Sequence, residues 1–142
     1  MYGVGKDFAA ESGEGGLIRF REVRIAETGV LQSAVEVGDN AFENCKEAKQ
    51  IILPQAERIG DNVFGFCEDL EYVTMPSLKK IGASPFTDCK NLKVLTLGEN
   101  PPGFQPRSFE GAAKDGLTLI VPDASKYGTP PVNMPAQTQV HE

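Results

Sequence analysis

The chain has 142 residues, 40% of them hydrophobic, which suits a single domain with its own core. Twenty acidic against 14 basic residues leave a net charge of −6, spread as 6 against 4 over residues 1–36, 10 against 7 over 37–103 and 4 against 3 over 104–142. No basic run exceeds Lys79-Lys80 and no apolar run approaches the ~18 residues of a membrane span, so neither nucleic-acid binding nor direct membrane insertion is expected.

In chain order, residues 1–16 carry five glycines and scattered apolar residues without a period, which predicts an irregular N-terminal segment. The opening MYGVGKDFAA lacks the charged and apolar regions of a signal peptide, and no Asn-x-Ser/Thr acceptor occurs anywhere. From residue 17 to 127 the chain repeats itself. Phe42, Phe64, Phe86 and Phe109 are spaced by 22, 22 and 23 residues. Cys45, Cys67 and Cys89 keep the same step, with Ala112 in the fourth place. Val37, Ile59, Ile81 and Phe104 each stand five residues ahead of the phenylalanine. An L-x-x-L-x-L-like run follows each cysteine: Ala48, Ile51, Leu53, then Leu70, Val73, Met75, then Leu92, Leu95, Leu97. Phe20, Val23 and Ile25 read as an earlier partial copy, followed by a linker that Gly29–Val35 lengthens by about six residues. Full units fall near 37–58, 59–80, 81–103 and 104–126, about four and a half repeats in all. Residues 128–142, with Pro130, Pro131 and Pro135, predict an irregular tail, for which an end cap is one available role.

A unit of this length with one short strand cannot bury its apolar columns alone; stacked coils place each column against itself. The expected fold is an α/β solenoid of the leucine-rich-repeat kind. It is a right-handed coil with a short parallel sheet on its concave face and short helical or 3₁₀ turns opposite. Leu95 and Leu97 should point inward and Val94 and Thr96 outward, with Pro54, Pro76 and Pro122 ending their strands. Asp39 and Asp61 read as caps of short helical starts at Asn40 and Asn62.

The recurring phrase I-G-x-x-x-F-x-x-C-x-x-L-x-x-V-x-x-P over roughly residues 20–126 resembles the BspA-type leucine-rich repeat, and the closing LTLIVPDASKY resembles that family's terminal repeat. Ala48 and Gly116, in leucine places, and Ala112, in a cysteine place, depart from it. The resemblance implies a non-enzymatic protein-interaction module of a bacterial cell-surface or secreted, adhesin-like protein. The alternative is a structural or scaffold subunit of a larger assembly.

The residues offer no competing chemistry. C-x₂₁-C-x₂₁-C is not a zinc spacing, and stacked parallel thiols are poorly placed for a disulfide, so the cysteines read as buried and structural. The repeated Gly-Asp-Asn at 38–40 and 60–62 loses its carboxylate in the third copy, Gly82-Ala83-Ser84, which favours capping over calcium. The one histidine, His141, is penultimate, so nucleophile–histidine pairs are absent, and no phosphate loop occurs; neither catalytic residue, cofactor nor metal is expected. What remains is the outward side of the sheet, with one column of Glu22, Gln50, Tyr72, Val94, Thr118 and another of Arg24, Ile52, Thr74, Thr96, Ile120. Within it, Tyr72, Ile52, Thr74, Val94 and Thr96 form a candidate protein-binding strip centred on Tyr72.

Overall fold

The computed structural model describes residues 7–8, 17–18, 27–129 and 131–142. Its strands are β1 (Asp7–Phe8), β2 (Leu17–Ile18), β3 (Thr28–Val30), β4 (Glu36–Val37), β5 (Gln50–Ile52), β6 (Arg58–Ile59), β7 (Tyr72–Met75), β8 (Lys80–Ile81), β9 (Val94–Leu97), β10 (Thr118–Ile120) and β11 (Gln139–His141). They form two parallel sheets: seven strands in the order β1-β3-β5-β7-β9-β10-β11, and four in the order β2-β4-β6-β8. The register of the larger sheet reads Asp7, Thr28, Gln50, Tyr72, Val94, Thr118, Gln139, a nearly constant step along the chain. The protein is therefore a β-solenoid, with each coil adding one strand to the larger sheet.

Between the sheets lies one continuous apolar core. Ile51, Val73, Leu95 and Leu119 point inward from the larger sheet, while Val37, Ile59 and Ile81 point inward from the smaller. Phe42, Phe64, Phe86 and Phe109 stack face to face down the axis, with centroids 5.8, 5.2 and 5.1 Å apart and planes within 15°. Rings separated by a full coil of chain meet this closely only because the coils are in register.

The helical turns expected opposite the sheet are not there. Among the described residues the one 3₁₀ helix is Ala124–Lys126, after the last coil. The phenylalanine segments are turns in which alternate N–H groups have different destinations. Those of Ala41, Glu43 and Cys45 close i−3 turns onto Gly38, Asn40 and Phe42, whereas those of Asn40, Phe42 and Asn44 donate to Asp61, Val63 and Gly65 of the next coil. Asn40, Asn44, Asn62, Phe66, Ser84 and Asp88 have φ between 49° and 63°, a left-handed conformation that no α-helix or 3₁₀ helix tolerates. Cross-coil pairing thus replaces helical pairing as the destination of these backbone donors.

Asp39 and Asp61 do cap, but across coils. Asp39 Oδ1 accepts from the Asp61 N–H at 2.7 Å, and Asp61 Oδ1 from the Ala83 N–H at 2.8 Å. The close approach explains the glycine beside them: a Cβ on Gly60 would lie 2.2 Å from Asp39 Oδ1. Asn62 Nδ2 extends the ladder, donating to Asn40 Oδ1 at 3.1 Å and to Glu43 Oε2. Cross-coil ion pairs follow the same step: Glu36–Arg58, Lys46–Glu68, Glu57–Lys79 and Glu71–Lys93, at 3.0–3.6 Å. At their exposure each adds little stability, but all are satisfied by one register.

Both ends differ from expectation. The lengthened linker at Gly29–Val35 does not exist: Thr28–Val30 is a strand in step with Gln50–Ile52, and Leu31, Ala34 and Val37 are core residues. Gly29, buried beside Ile51, brings no side chain to the inward column, which left the strand without its apolar mark in the sequence. The partial copy at Phe20, Val23 and Ile25 lies outside the described residues. Residues 1–16, expected to be irregular, contribute β1, which pairs with β3.

At the other end, the tail expected to be irregular folds back as β11, parallel to β10. Tyr127 Oη donates to the Gly98 carbonyl at 2.8 Å, Asn133 Nδ2 to the Phe104 carbonyl at 2.7 Å, and the Ala124 N–H to a Glu142 carboxylate oxygen at 2.8 Å. Met134 and Val140 pack against the core, closing the last coil. The prolines leave residues 139–141 free to pair, and β11 sits at the sheet edge, where proline-rich approaches are tolerated.

Candidate binding face

Strand alternation fixes which side chains leave the core. In β7 and β9, Val73, Met75, Leu95 and Leu97 are buried, while Tyr72, Thr74, Val94 and Thr96 point away from the core. In-register pairing lines these positions up across the sheet. One column runs Thr28, Gln50, Tyr72, Val94, Thr118, Gln139; the other runs Val30, Ile52, Thr74, Thr96, Ile120, His141. The five strip residues predicted from sequence therefore share one face, Tyr72 beside Val94 and Ile52 beside Thr74 and Thr96.

Glu22 and Arg24 lie outside the described residues, and the strand places assigned to them belong to Thr28 and Val30. From Thr28 to Gln139 and from Val30 to His141 neither column holds a carboxylate, ammonium or guanidinium. The largest exposed apolar side chains on this face are Tyr72, at 40%, and Ile120, at 38%. Charges stand at its margin, where Lys93 Nζ lies 3.4 Å from Glu71 Oε1.

At the C-terminal half of this face the surface sinks into a groove of about 790 Å³. Tyr72, Val94, Thr118 and Gln139 cross its floor, and Asp115, Gly116, Gln137 and Thr138 form its rim. Sequence reasoning missed the contribution of Gln137–Gln139, because nothing in the repeat places the tail beside Thr118 at the edge of the sheet. It also missed Asp115, which lies between Val94 and Thr118, in a coil longer than those before it.

The remaining sequence candidates are structural. The phenylalanine column and the three cysteines are buried, and no disulfide joins the cysteines. The Cys67 thiol donates to the Phe42 carbonyl at 3.1 Å, and the Cys89 thiol to the Phe64 carbonyl at 2.9 Å. Hydrogen bonding with Cys45, and burial, hold the Cys67 thiol well above the usual thiol range. Burial pushes the Cys89 thiol up to about 12. Neutral, buried thiols of this kind are poor nucleophiles. Among the described residues no group of three His, Cys, Asp or Glu side chains is arranged to hold a metal ion, and the Asp39 and Asp61 carboxylates are engaged by backbone donors. No helix among the described residues is long and apolar enough to cross a membrane.

No characterised protein and no solved structure matches the chain. A family profile does: the BspA type leucine rich repeat region, a six-copy profile, matches residues 19–121, which is 103 of the 142 residues. Its span runs through the coils from β3 to β10, so the in-register stacking described above is the three-dimensional form of that repeat. The chain belongs to the BspA-type leucine-rich-repeat family.

Proposed function

We propose that the chain is a non-enzymatic protein-interaction module whose partner docks on the outer face of the larger sheet, centred on Tyr72 with Ile52, Thr74, Val94 and Thr96 around it. Membership of the repeat family supports the interaction role. The family's association with bacterial surface proteins supports a secreted or cell-surface, adhesin-type setting. The observation that carries the site is the pair of adjoining columns, uncharged from Thr28 and Val30 onward, with an aromatic ring 40% exposed at the middle of one of them. A half-apolar strip of uncharged side chains, on a surface crossed elsewhere by ion pairs, is suited to a contact from which water is displaced. Tyrosine supplies a large contact area for little conformational entropy and is enriched at the centres of interfaces.

The test pairs stability with affinity. The immobilised 142-residue chain captures a partner from surface-protein extracts, and the captured protein is titrated against Tyr72→Ala and against Asp69→Ala, an exposed residue outside the strip. Tyr72→Ala should keep its folding stability within about 1 kcal/mol and lose about 2 kcal/mol or more of binding. Equal affinity of the two variants would place the partner elsewhere.

A further inference from the structure

We infer that the groove between Tyr72 and Gln139, which shares Tyr72 and Val94 with the docking strip, is a site for an uncharged oligosaccharide. Its floor crosses four in-register strands, from Tyr72 through Val94 and Thr118 to Gln139. Three strand spacings of ~4.8 Å give a span of about 14 Å, enough for a disaccharide or trisaccharide lying across the strands. The inference does not rest on the protein-docking reading, because Ile52, Thr74 and Thr96 take no part in it.

The chemistry of the lining selects the ligand class. At one end stands the half-exposed Tyr72 ring, an apolar plate with a polar edge. Such a plate fits the flat C–H face of a pyranose ring. At the other end Gln137 and Gln139 present exposed amides, each with donors and an acceptor in one plane. That geometry bridges two neighbouring hydroxyls. Asp115 at the rim adds two acceptor oxygens, and Thr118 adds a hydroxyl that both gives and takes a hydrogen bond. The side chains of Asp115, Gln137 and Gln139 hold no hydrogen bond or ion pair among the described residues, so their full capacity faces the groove.

Charge argues the same way. Lys93, the one cation lining the groove among the described residues, is already matched by Glu71 at 3.4 Å. An anionic ligand therefore finds no uncommitted positive group, and a single carboxylate is a weak attraction for a cation in open solvent. A polypeptide side chain anchors in a desolvated apolar pocket, whereas beyond Tyr72 and Val94 the groove is lined by Asp115, Thr118, Gln137, Thr138 and Gln139 over the buried Leu117. A neutral ligand rich in hydroxyls uses every group present. The tail completes the site: the Gln139 N–H donates to the Leu117 carbonyl at 2.9 Å, which holds Gln137 and Gln139 beside the repeat surface.

Saturation-transfer NMR and calorimetry on the full chain, with maltotriose, tri-N-acetylchitotriose and a galactose-based trisaccharide as neutral probes, test this. Sialyllactose and a heparin tetrasaccharide serve as charged comparators. At least one neutral trisaccharide should bind saturably below about 10 mM, with affinity insensitive to salt. Gln139→Ala and Tyr72→Ala should each weaken it by about tenfold, through one lost bidentate contact and one lost stack. Ile52→Ala and Thr96→Ala, which report on the protein-docking strip, should leave it unchanged. Melting curves identify any variant that loses its fold, and Gln139→Glu, which keeps the shape but adds charge, then replaces it with the same expected weakening. Absence of binding to every neutral probe, tighter binding of a charged comparator, or equal losses in Ile52→Ala and Gln139→Ala would each overturn the assignment.

Discussion

Replacing Phe64 by alanine tests the stacked core at its centre. The ring is fully buried and lies between Phe42, 5.8 Å away at 9°, and Phe86, 5.2 Å away at 7°. Truncating a buried phenylalanine costs about 3–5 kcal/mol, and each lost ring contact adds about 0.5–1.5 kcal/mol beyond area. The neighbours on both sides cannot close over the gap without breaking register, so Phe64→Ala should fall at the upper end, about 5 kcal/mol. That approaches the whole stability of a small domain. Phe64→Leu, which keeps most of the volume and loses the stacks, should cost about 1–2 kcal/mol. Phe109 is 8% exposed and meets Phe86 as a stack and Phe104 at a tilt of 54°, so Phe109→Ala should cost less than Phe64→Ala. Equilibrium urea denaturation of the three variants, followed by far-ultraviolet circular dichroism, gives the comparison. A loss below about 1 kcal/mol for Phe64→Ala, the range of surface changes, would refute the stacked column.

Three further outcomes follow from the same geometry. Cys45, Cys67 and Cys89 should resist thiol reagents in the native state and react fully after unfolding; rapid native labelling of two of them, or a Cys45–Cys67 or Cys67–Cys89 bridge by mass spectrometry, would contradict their burial. The Cys67 and Cys89 thiols, raised in the fold, stay protonated while the unfolded thiols ionise, so stability is complete at neutral pH and falls as pH rises above about 8.5. The slope should approach one kcal/mol per pH unit per buried thiol between about pH 9 and 10, and an identical slope in Cys67→Ala/Cys89→Ala would assign it elsewhere. Gly98→Ala would bring a Cβ to 2.3 Å from the Pro76 carbonyl oxygen, a backbone atom held by the preceding coil, and should destabilise by about 2 kcal/mol or more, measured by thermal melting.

The sequence displayed the solenoid through residues that face inward and repeat: the phenylalanines, the cysteines and the Ile51, Val73, Leu95 column are where the period put them. It hid the parts where local signals compete with tertiary pairing. Two-residue strands such as Arg58–Ile59 and Lys80–Ile81 are too short to show an alternation, so the second sheet was visible only as an apolar column. Asn40 and Asn62, which follow an aspartate, looked like helix starts, yet asparagine is equally at home in the left-handed conformation they adopt. Gly29–Val35 read as extra linker because the inward residue of the strand Thr28–Val30 is a glycine with no side chain to continue the apolar column. Gln139-Val140-His141 carries no repeat signature, and only pairing with β10 makes it a strand. The strip around Tyr72 was legible because outward positions follow from inward ones. The groove was not, since Gln137, Thr138 and Gln139 of its lining come from outside the period.

That division bears on where a unique site can arise on a repeating surface. From β3 to β9 the coils advance by one constant step, Thr28 to Gln50 to Tyr72 to Val94, and present nearly equivalent outward positions. Such a surface offers a partner several overlapping registers, and specificity depends on side chains that differ between coils, chiefly Tyr72 against Gln50 and Val94. Beyond β9 the step changes: Val94 to Thr118 is longer than that constant step, and Thr118 to Gln139 is shorter. The longer coil brings Asp115 and Gly116, with φ +97°, to the rim, and the folded-back tail brings Gln137 and Gln139. Equivalent coils cannot supply that combination. The groove reaches across the break in periodicity from Tyr72 and Val94, so an extended strip suited to a macromolecular partner runs at one end into a local recess suited to a small one.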